Sequence, residues 1–207
     1  MARKAKRQAK PKAAAAAAPI DRMVDAALGL AATQGWRDTT LADIAEAAGV
    51  SLGDLRRHVG GKTEILLALA RRADAATLDG GKAEGETVRD RVFELVMRRL
   101  DALGPHKAGL KAVTRDLPRD PASLLLLGCS TARSMGWLLE AAGVDPRGPL
   151  GRLRVKALGA IYLGALRTWF ADEGADSGKT MAYLDKALRR AERFAAPFSR
   201  SAKPAES

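Results

Sequence analysis

The sequence has little of what disulfide-stabilised, membrane-spanning and metal-dependent proteins are built from. Its 207 residues include one cysteine, Cys129, and two histidines, His58 and His106. A single cysteine excludes an internal disulfide and suits a reducing compartment. So few ligands, so far apart in sequence, predict no zinc site. No apolar run reaches the ~18 residues of a membrane span, and no cleavable signal segment follows the basic start. We therefore expect a cytoplasmic protein with no cofactor and no membrane span.

Aromatic residues and alternating patterns are also scarce. Aromatics make up 4% of the chain and apolar residues 47%, with alanine and leucine abundant. No segment alternates with period two and no β-branched run occurs. These features predict an all-α protein with a mostly aliphatic core.

Catalytic motifs are missing as well. The GGKT at residues 60–63 imitates the end of a phosphate-binding loop, but Arg56 stands where that loop needs glycine and no buried strand precedes it. No G-x-S-x-G nucleophile motif occurs. Cys129, within LLLLGCS, is interpreted as core filling. We expect that the chain is not an enzyme.

The net charge of +11 is unevenly distributed. Residues 1–19 hold six basic and no acidic residues, and their alanine-rich low complexity predicts a disordered basic arm. Such arms track phosphates or enter the minor groove; an organelle transit peptide is a further interpretation, although the arm lacks serine. Residues 20–79 are slightly acidic at −2, whereas residues 80–198 carry +6. Nucleic-acid binding must therefore rest on where particular cations lie, not on bulk charge.

Residues 39–66 carry the most specific pattern of the chain. Leu41, Ile44 and Ala48 share one face of a short helix. Gly49 can end that helix in a left-handed conformation, and Ser51 can cap the next one. That second helix is predicted to turn Leu52, Leu55 and Val59 inward and to leave polar residues outward, which are Asp54, Arg56, Arg57 and His58. Two short helices around such a turn are typical of a helix-turn-helix, whose second helix enters the DNA major groove.

Longer helical patterns flank this motif, and breaks separate them. We predict helices over 20–33, 62–78, 87–103, 106–115, 122–142, 150–172 and 177–196. The glycine-rich segment 80–87 predicts a domain boundary. We call residues 20–79 the head and residues 80–198 the body, and we expect 199–207 to be a disordered tail. The helix at 122–142 is apolar nearly all round, which predicts a central position in the body.

The head resembles the amino-terminal domain of the TetR/AcrR family of bacterial transcriptional regulators. The likeness runs from about Asp21 to Asp79 and is strongest at Gly35, Thr39-Thr40, the IAEAAGVS run and Lys62 followed by EIL. It implies about nine helices, with a three-helix helix-turn-helix domain before a helical ligand-binding and dimerisation domain. The family usually has an aromatic where Arg56 stands and phenylalanine where Val59 stands, so the second helix is predicted to be less firmly seated.

The resemblance implies a set of DNA-contacting residues. Thr40, His58 and Lys62 are predicted to hold phosphates, whereas Arg56 and Arg57 face the groove or its edges. Arg57 is the better candidate for base reading. The complete predicted set is Thr40, Ser51, Asp54, Arg56, Arg57, His58 and Lys62. The implied function is a ligand-responsive regulator, a repressor that binds a palindromic double-stranded DNA operator.

The last two helices are predicted to form a homodimer through residues 150–196. The first of them has two apolar faces, one with Leu153, Ala157, Ala160, Ile161, Gly164 and Trp169, and one with Leu158, Tyr162, Leu166 and Phe170. One face can meet the core of its own chain, and a second subunit is the economical partner for the other. A dimer also sets two recognition helices about one DNA turn apart.

The body is predicted to hold a small-molecule effector that the sequence does not identify. Ligand pockets are typically apolar and aromatic with few polar groups. The candidate lining residues are Met97, Arg133, Met135, Trp137, Tyr162 and Trp169. Ordinary core packing remains the competing interpretation for the apolar members. An acidic head of the ligand is one partner for Arg99, Arg133 and Arg167, and an ordinary place on the surface explains these arginines equally well.

A second resemblance concerns the carboxy-terminal half. The segments 162–192 and 89–103 are similar to a lipid-binding accessory protein of ubiquinone biosynthesis, which has a TetR-like fold and does not bind DNA. This alternative implies an apolar cavity for an isoprenoid lipid. The net negative charge of the head favours this lipid-binding alternative. The turn of the helix-turn-helix, which matches the family pattern closely, favours the DNA-binding regulator.

Overall fold

The structure is a computed structural model that describes residues 18–174 and 176–195. The basic arm before residue 18 and the predicted tail at 199–207 lie outside this range. Within it the chain forms nine α-helices and no strand. The all-α prediction is therefore confirmed. None of the helices in these two ranges is long and apolar enough to cross a membrane.

The helices follow one another with short connections. In chain order they are α1 Pro19–Gln34, α2 Leu41–Ala47, α3 Leu52–His58, α4 Lys62–Asp79, α5 Val88–Leu103, α6 Lys107–Asp116, α7 Pro121–Ala141, α8 Gly148–Ala171 and α9 Gly178–Ala195. Short 3-10 turns at Gly104–His106 and Leu117–Arg119 lead into α6 and α7. The predicted helices all form, with ends displaced by one or two residues.

The turn of the helix-turn-helix motif forms as the sequence indicated. Gly49 has φ +64°, a conformation that glycine adopts without a Cβ penalty. The amide of Val50 donates to the carbonyl of Ala45 and that of Gly49 to Glu46, which closes the end of α2. Leu55 and Val59 are buried, but Leu52 is 53% exposed. The prediction that Leu52 faces inward is therefore wrong, because the first position of α3 lies on its outward side.

The head packs against the body along two helices. α1 lies along α6, and α4 contacts both α5 and α7. Gly109 of α6 is buried against the backbone of Leu28, and a side chain at this position would collide with the Leu28 carbonyl. One continuous core, from Met23 in α1 to Leu188 in α9, joins head and body.

Helix α7 is less central than its sequence predicted. Its inner side, with Met135, Leu138 and Leu139, is buried. The opposite side is exposed and still apolar, and Cys129 lies there. The interpretation of Cys129 as core filling is therefore wrong. The helix has two apolar faces. One packs against the core of its own chain, and the other is exposed.

Candidate nucleic-acid interface

Side-chain caps fix the two helices of the motif. Thr40 accepts from the amide of Asp43, and the carboxylate of Asp43 accepts from the amide of Thr40, which is a capping box at the start of α2. These hydrogen bonds lower the pKa of Asp43. Ser51 caps α3 in the same way by accepting from the amide of Asp54 at 3.0 Å. The residue at which each of the two helices begins is thus set by its own sequence.

The outward side of α3 carries a small cationic surface. Arg56, Arg57 and His58 are all exposed. The guanidinium of Arg57 pairs with Asp54 on the same helix, and its side chain keeps 69% exposure. The hydroxyl of Ser51 and this guanidinium lower the pKa of Asp54, in that order of effect. Because the Arg57–Asp54 pair is exposed and local, it holds the arginine only weakly, and an external acceptor can compete with the carboxylate.

A cleft of about 430 Å³ lies beside the start of α3. Helix α1 lines it with Pro19 and Arg22, two residues that the sequence did not associate with α3. Arg22 is exposed on α1, and only the packing of α1 on α2 shows that this side adjoins the recognition helix. The remaining lining residues are Glu46, Gly49, Val50, Ser51, Asp54 and His58.

Lys62 has a more complicated environment than the sequence indicated. Its ammonium donates to the carbonyls of Trp36 and Thr39, the latter at 2.7 Å, and lies 4.5 Å from the centre of the Trp36 ring. Partial burial lowers the pKa of Lys62. Lysine has three N–H donors, and the third makes only a long contact of 3.5 Å with the Arg37 carbonyl, so it is the donor that an external acceptor can most easily take. Lys62 therefore connects α4 to the loop that precedes α2.

The structure brings together part of the predicted DNA-contacting set. Ser51, Asp54, Arg57 and His58 lie on α3 or its cap, and Nδ1 of His58 lies 2.8 Å from the Asp54 carbonyl oxygen. Thr40 starts α2 one element away. Arg56 lies in the last turn of α3 and Lys62 begins α4, and neither has a recorded contact with the group around Asp54.

The predicted effector set is not brought to one surface. Met135, Tyr162 and Trp169 are buried, and Met97 is partly buried against the same core. Arg133 is exposed and Trp137 is 52% exposed on the opposite side of α7. A cleft of about 370 Å³ lies instead where head and body meet, and residues from Trp36 and Lys62 to Asp120 and Ser123 line it. In the two described ranges, no three His, Cys, Asp or Glu side chains gather as a metal site would require.

A buried ion pair that connects the head to the body was not predicted from the sequence. Arg99 of α5 is 3% exposed, and its guanidinium pairs with Asp74 of α4. It also donates to the Tyr162 hydroxyl at 3.2 Å, while Ser134 donates to Asp74 at 2.7 Å. The partners are 25 to 63 residues away in sequence, so no local pattern identifies them. This network joins α4, α5, α7 and α8.

The comparisons with known proteins agree with this geometry. Residues 23–69 match the family model of bacterial regulatory proteins of the tetR family. A TetR transcriptional regulator from Nitrosomonas europaea is 28% identical, with a TM-score of 0.69 over 84% of this chain and 98% of that chain. Residues 23–69 therefore match the TetR family, and the chain shares its fold with a TetR transcriptional regulator. Members of this family are transcriptional regulators, not enzymes.

More distant TetR structures share the fold. A putative TetR-family regulator from Rhodococcus sp. is 20% identical, with a TM-score of 0.60 over 83% of this chain and 97% of that chain. The TetR-family regulator PfmR from Thermus thermophilus is 22% identical, with a TM-score of 0.52 over 82% of this chain and 95% of that chain. No curated protein matches the chain. None of these comparisons supports the second resemblance, to the accessory protein of ubiquinone biosynthesis.

Proposed function

We propose that this chain is a repressor that binds a palindromic DNA operator as a homodimer and releases it when a small molecule binds. The observation that carries the proposal is the capped, exposed α3, which presents Arg56, Arg57 and His58 to solvent in the part that matches the family model. An α-helix of this kind fits the major groove.

The roles follow from chemistry and position. Arg57 exchanges Asp54 for a guanine edge, which offers two acceptors to its two parallel N–H donors. Arg56 faces the groove or its edge, and Thr40, His58 and the weakly held third donor of Lys62 contact phosphates. Leu52, at the exposed start of α3, can contact a thymine methyl group.

The dimer and the effector complete the proposal. Two copies associate through the region 150–196, of which α8 presents Leu153 and Leu163 to solvent. Association sets two α3 helices about one DNA turn, or 34–36 Å, apart. The effector acts by binding one conformation more tightly than the other, which changes this spacing.

Binding to the intergenic DNA upstream of the gene tests the proposal. Arg57→Ala is expected to lower discrimination between operator and random duplex, by about 1–3 kcal/mol if Arg57 reads one guanine. Fluorescence anisotropy across a salt series measures both affinities. A control variant, Arg71→Ala, removes an exposed arginine of α4 that has no assigned DNA role. If wild type and Arg57→Ala bind every duplex equally, α3 does not read sequence.

A further inference from the structure

The cleft of about 370 Å³ between head and body is lined by residues of both units. The head contributes Trp36 and Arg37 from the α1–α2 loop, and Lys62 and Thr63 from the start of α4. The body contributes residues between the end of α6 and the first turn of α7, among them Asp116, Arg119, Asp120 and Ser123. Because ligand pockets begin at about 300 Å³, the cleft is large enough for a small molecule. We call it the junction cleft.

We infer that the junction cleft binds a small molecule through an anionic head group, a carboxylate or a phosphate. Three cations line it, which are Arg37, Lys62 and Arg119. A guanidinium forms paired hydrogen bonds to the oxygens of either anion, and an ammonium adds a compact donor. The site is separate from the predicted effector set, whose residues all lie elsewhere in the described part of the body.

The two arginines have donors available for a ligand. Arg37 and Arg119 are both exposed. The hydrogen bonds of Arg37 use its backbone amide and carbonyl. Within residues 18–174 and 176–195, its guanidinium and that of Arg119 form no ion pair and no hydrogen bond. Since a guanidinium carries five N–H donors in a fixed fork, two such groups at one cleft can hold several oxygens of an anion.

Lys62 brings a half-buried positive charge to the same cleft. Three backbone carbonyls surround its ammonium, and that of Arg37 lies as far away as 3.5 Å. Burial lowers the pKa of Lys62, although the charges of Asp116 and Asp38 act in the opposite direction. The positive charge is therefore incompletely compensated by the protein. An anion beside the ammonium would favour its charged form.

The two carboxylates of the junction cleft already have partners within the protein. Asp120 accepts from the hydroxyl of Ser123 at 2.5 Å and from its amide at 3.1 Å, and these hydrogen bonds lower the pKa of Asp120. Asp116 accepts from the amide of Arg37 at 3.1 Å and lies 3.6 Å from the guanidinium of Arg115. The acids are thus engaged in holding the local fold, whereas the arginines that line the cleft are not.

The charge balance favours an anion over a cation as the ligand. The residues that line the cleft carry three positive and two negative charges. Arg115, beside Asp116, and Asp38, near Lys62, contribute one charge of each sign. The surroundings therefore keep a net positive charge, which an anionic head group neutralises.

An anion in the junction cleft would contact the head and the body at once. Thr63 of α4 and the buried Ser123 of α7 already share a hydrogen bond of 2.5 Å across this junction. A ligand held by Arg37 of the head and Arg119 of the body would add a second connection. It would also take the third donor of Lys62, for which a DNA phosphate then competes; this step rests on the proposed function.

Calorimetric titration with inorganic phosphate and with acetate, at constant ionic strength, tests the site on the protein alone. At least one of the two anions should bind, and the tighter one identifies the head group. Arg119→Gln should raise its dissociation constant about tenfold or more, since hydrogen bonds to a charged group are lost. The control Lys111→Gln removes an exposed cation of α6 that lies outside the lining and should leave the constant unchanged. Absence of binding to both anions, or equal binding by wild type and Arg119→Gln, would overturn the inference.

A DNA titration distinguishes this inference from the proposed function. At constant ionic strength the anion should weaken DNA binding by wild type severalfold, and Arg119→Gln should remove most of this effect. A chain that binds the anion but no duplex removes the proposed repressor function and leaves the junction cleft as an anion site. If Arg119→Gln without added anion weakens binding to every duplex more than Lys111→Gln does, the cleft holds a phosphate of the DNA backbone, and the inference of a small-molecule site is overturned.

Discussion

At the scale of single residues, Lys62 shows how one side chain can serve both fold and function. Its ammonium holds the carbonyls of Trp36 and Thr39, which fixes the loop before α2. The sequence resemblance indicated only a phosphate contact. Contacts to residues 23 and 26 positions earlier depend on how α4 packs against the α1–α2 loop, which no local pattern encodes.

Replacing Lys62 is expected to affect stability and binding together. Lys62→Met keeps an apolar stem on Trp36 and removes the charge, so the melting temperature should fall and binding to all duplexes should weaken alike. If the third donor neutralises one phosphate, the slope of log affinity against log salt falls by about 0.9. Calorimetry and a salt series measure the two effects. An unchanged melting temperature would contradict the role in the loop, and an unchanged slope would contradict the phosphate contact.

His106 is the second residue whose surroundings lead to a prediction. Arg72 donates to its Nε2 at 2.6 Å, and Asp25 lies 3.2 Å from the same atom. Burial and the positive charge of Arg72 lower the pKa of His106 below 6.5, although the negative charge of Asp25 acts in the opposite direction. Asp21 pairs with the same arginine. As pH falls through 6.5, His106 therefore binds a proton in the unfolded chain but stays neutral in the folded chain. Because the unfolded state binds more protons, the free energy of unfolding falls with pH.

The pH dependence of stability checks this assignment. Urea unfolding at pH 7.5 and 5.5 should show a loss of stability in wild type that is smaller in His106→Asn. The control His58→Asn retains His106 and should keep the wild-type loss. Equal losses in wild type and His106→Asn would contradict the prediction.

At the scale of helices, much of the fold could be predicted because its signals are local. Periodicity, the caps at Thr40 and Ser51, and the turn glycine at Gly49 are all read within a few residues, and the helices they predict form. Which apolar face meets the core is a different matter. Trp169 was grouped with Leu153 and Ala157 but is buried with Tyr162, and Leu52 is exposed. Such choices depend on the neighbours that tertiary packing supplies.

The buried pair between α4 and α5 gives a prediction at this scale. Arg99→Met leaves Asp74 without its cation in a largely buried position, so we expect a loss of about 3–5 kcal/mol in the free energy of unfolding. The double variant Arg99→Met with Asp74→Leu removes both charges and should recover most of that loss. Urea unfolding of the single and double variants measures the difference. A single variant as stable as wild type would show that the pair does not hold α4 to α5.

At the scale of the whole molecule, the charge distribution makes the arm important. The head itself is slightly acidic, whereas residues 1–17 supply six cations. Pro19, at the start of α1, lines the cleft beside Ser51 and His58. The arm therefore joins the protein next to the proposed DNA-reading surface, although its own residues lie outside the described ranges.

Removal of residues 1–17 is expected to weaken binding to every duplex. Because each neutralised phosphate contributes about 0.9 to the slope of log affinity against log salt, the slope should fall by between about 1 and 5. A full-length control in which glutamine replaces the six cations separates charge from chain length and should behave like the truncation. An unchanged slope in both variants would show that the arm does not contact DNA.

The contact of α1 with α6 has a mechanical consequence for regulation. No side chain separates the two helices at Gly109 and Leu28, and close-packed interiors deform little. If α6 moves, α1 must therefore move with it. Because α1 packs on α2 and α4, the helix-turn-helix motif moves as a rigid unit. Release of an operator by this protein would then be a rotation of intact units and not a local unfolding of the motif.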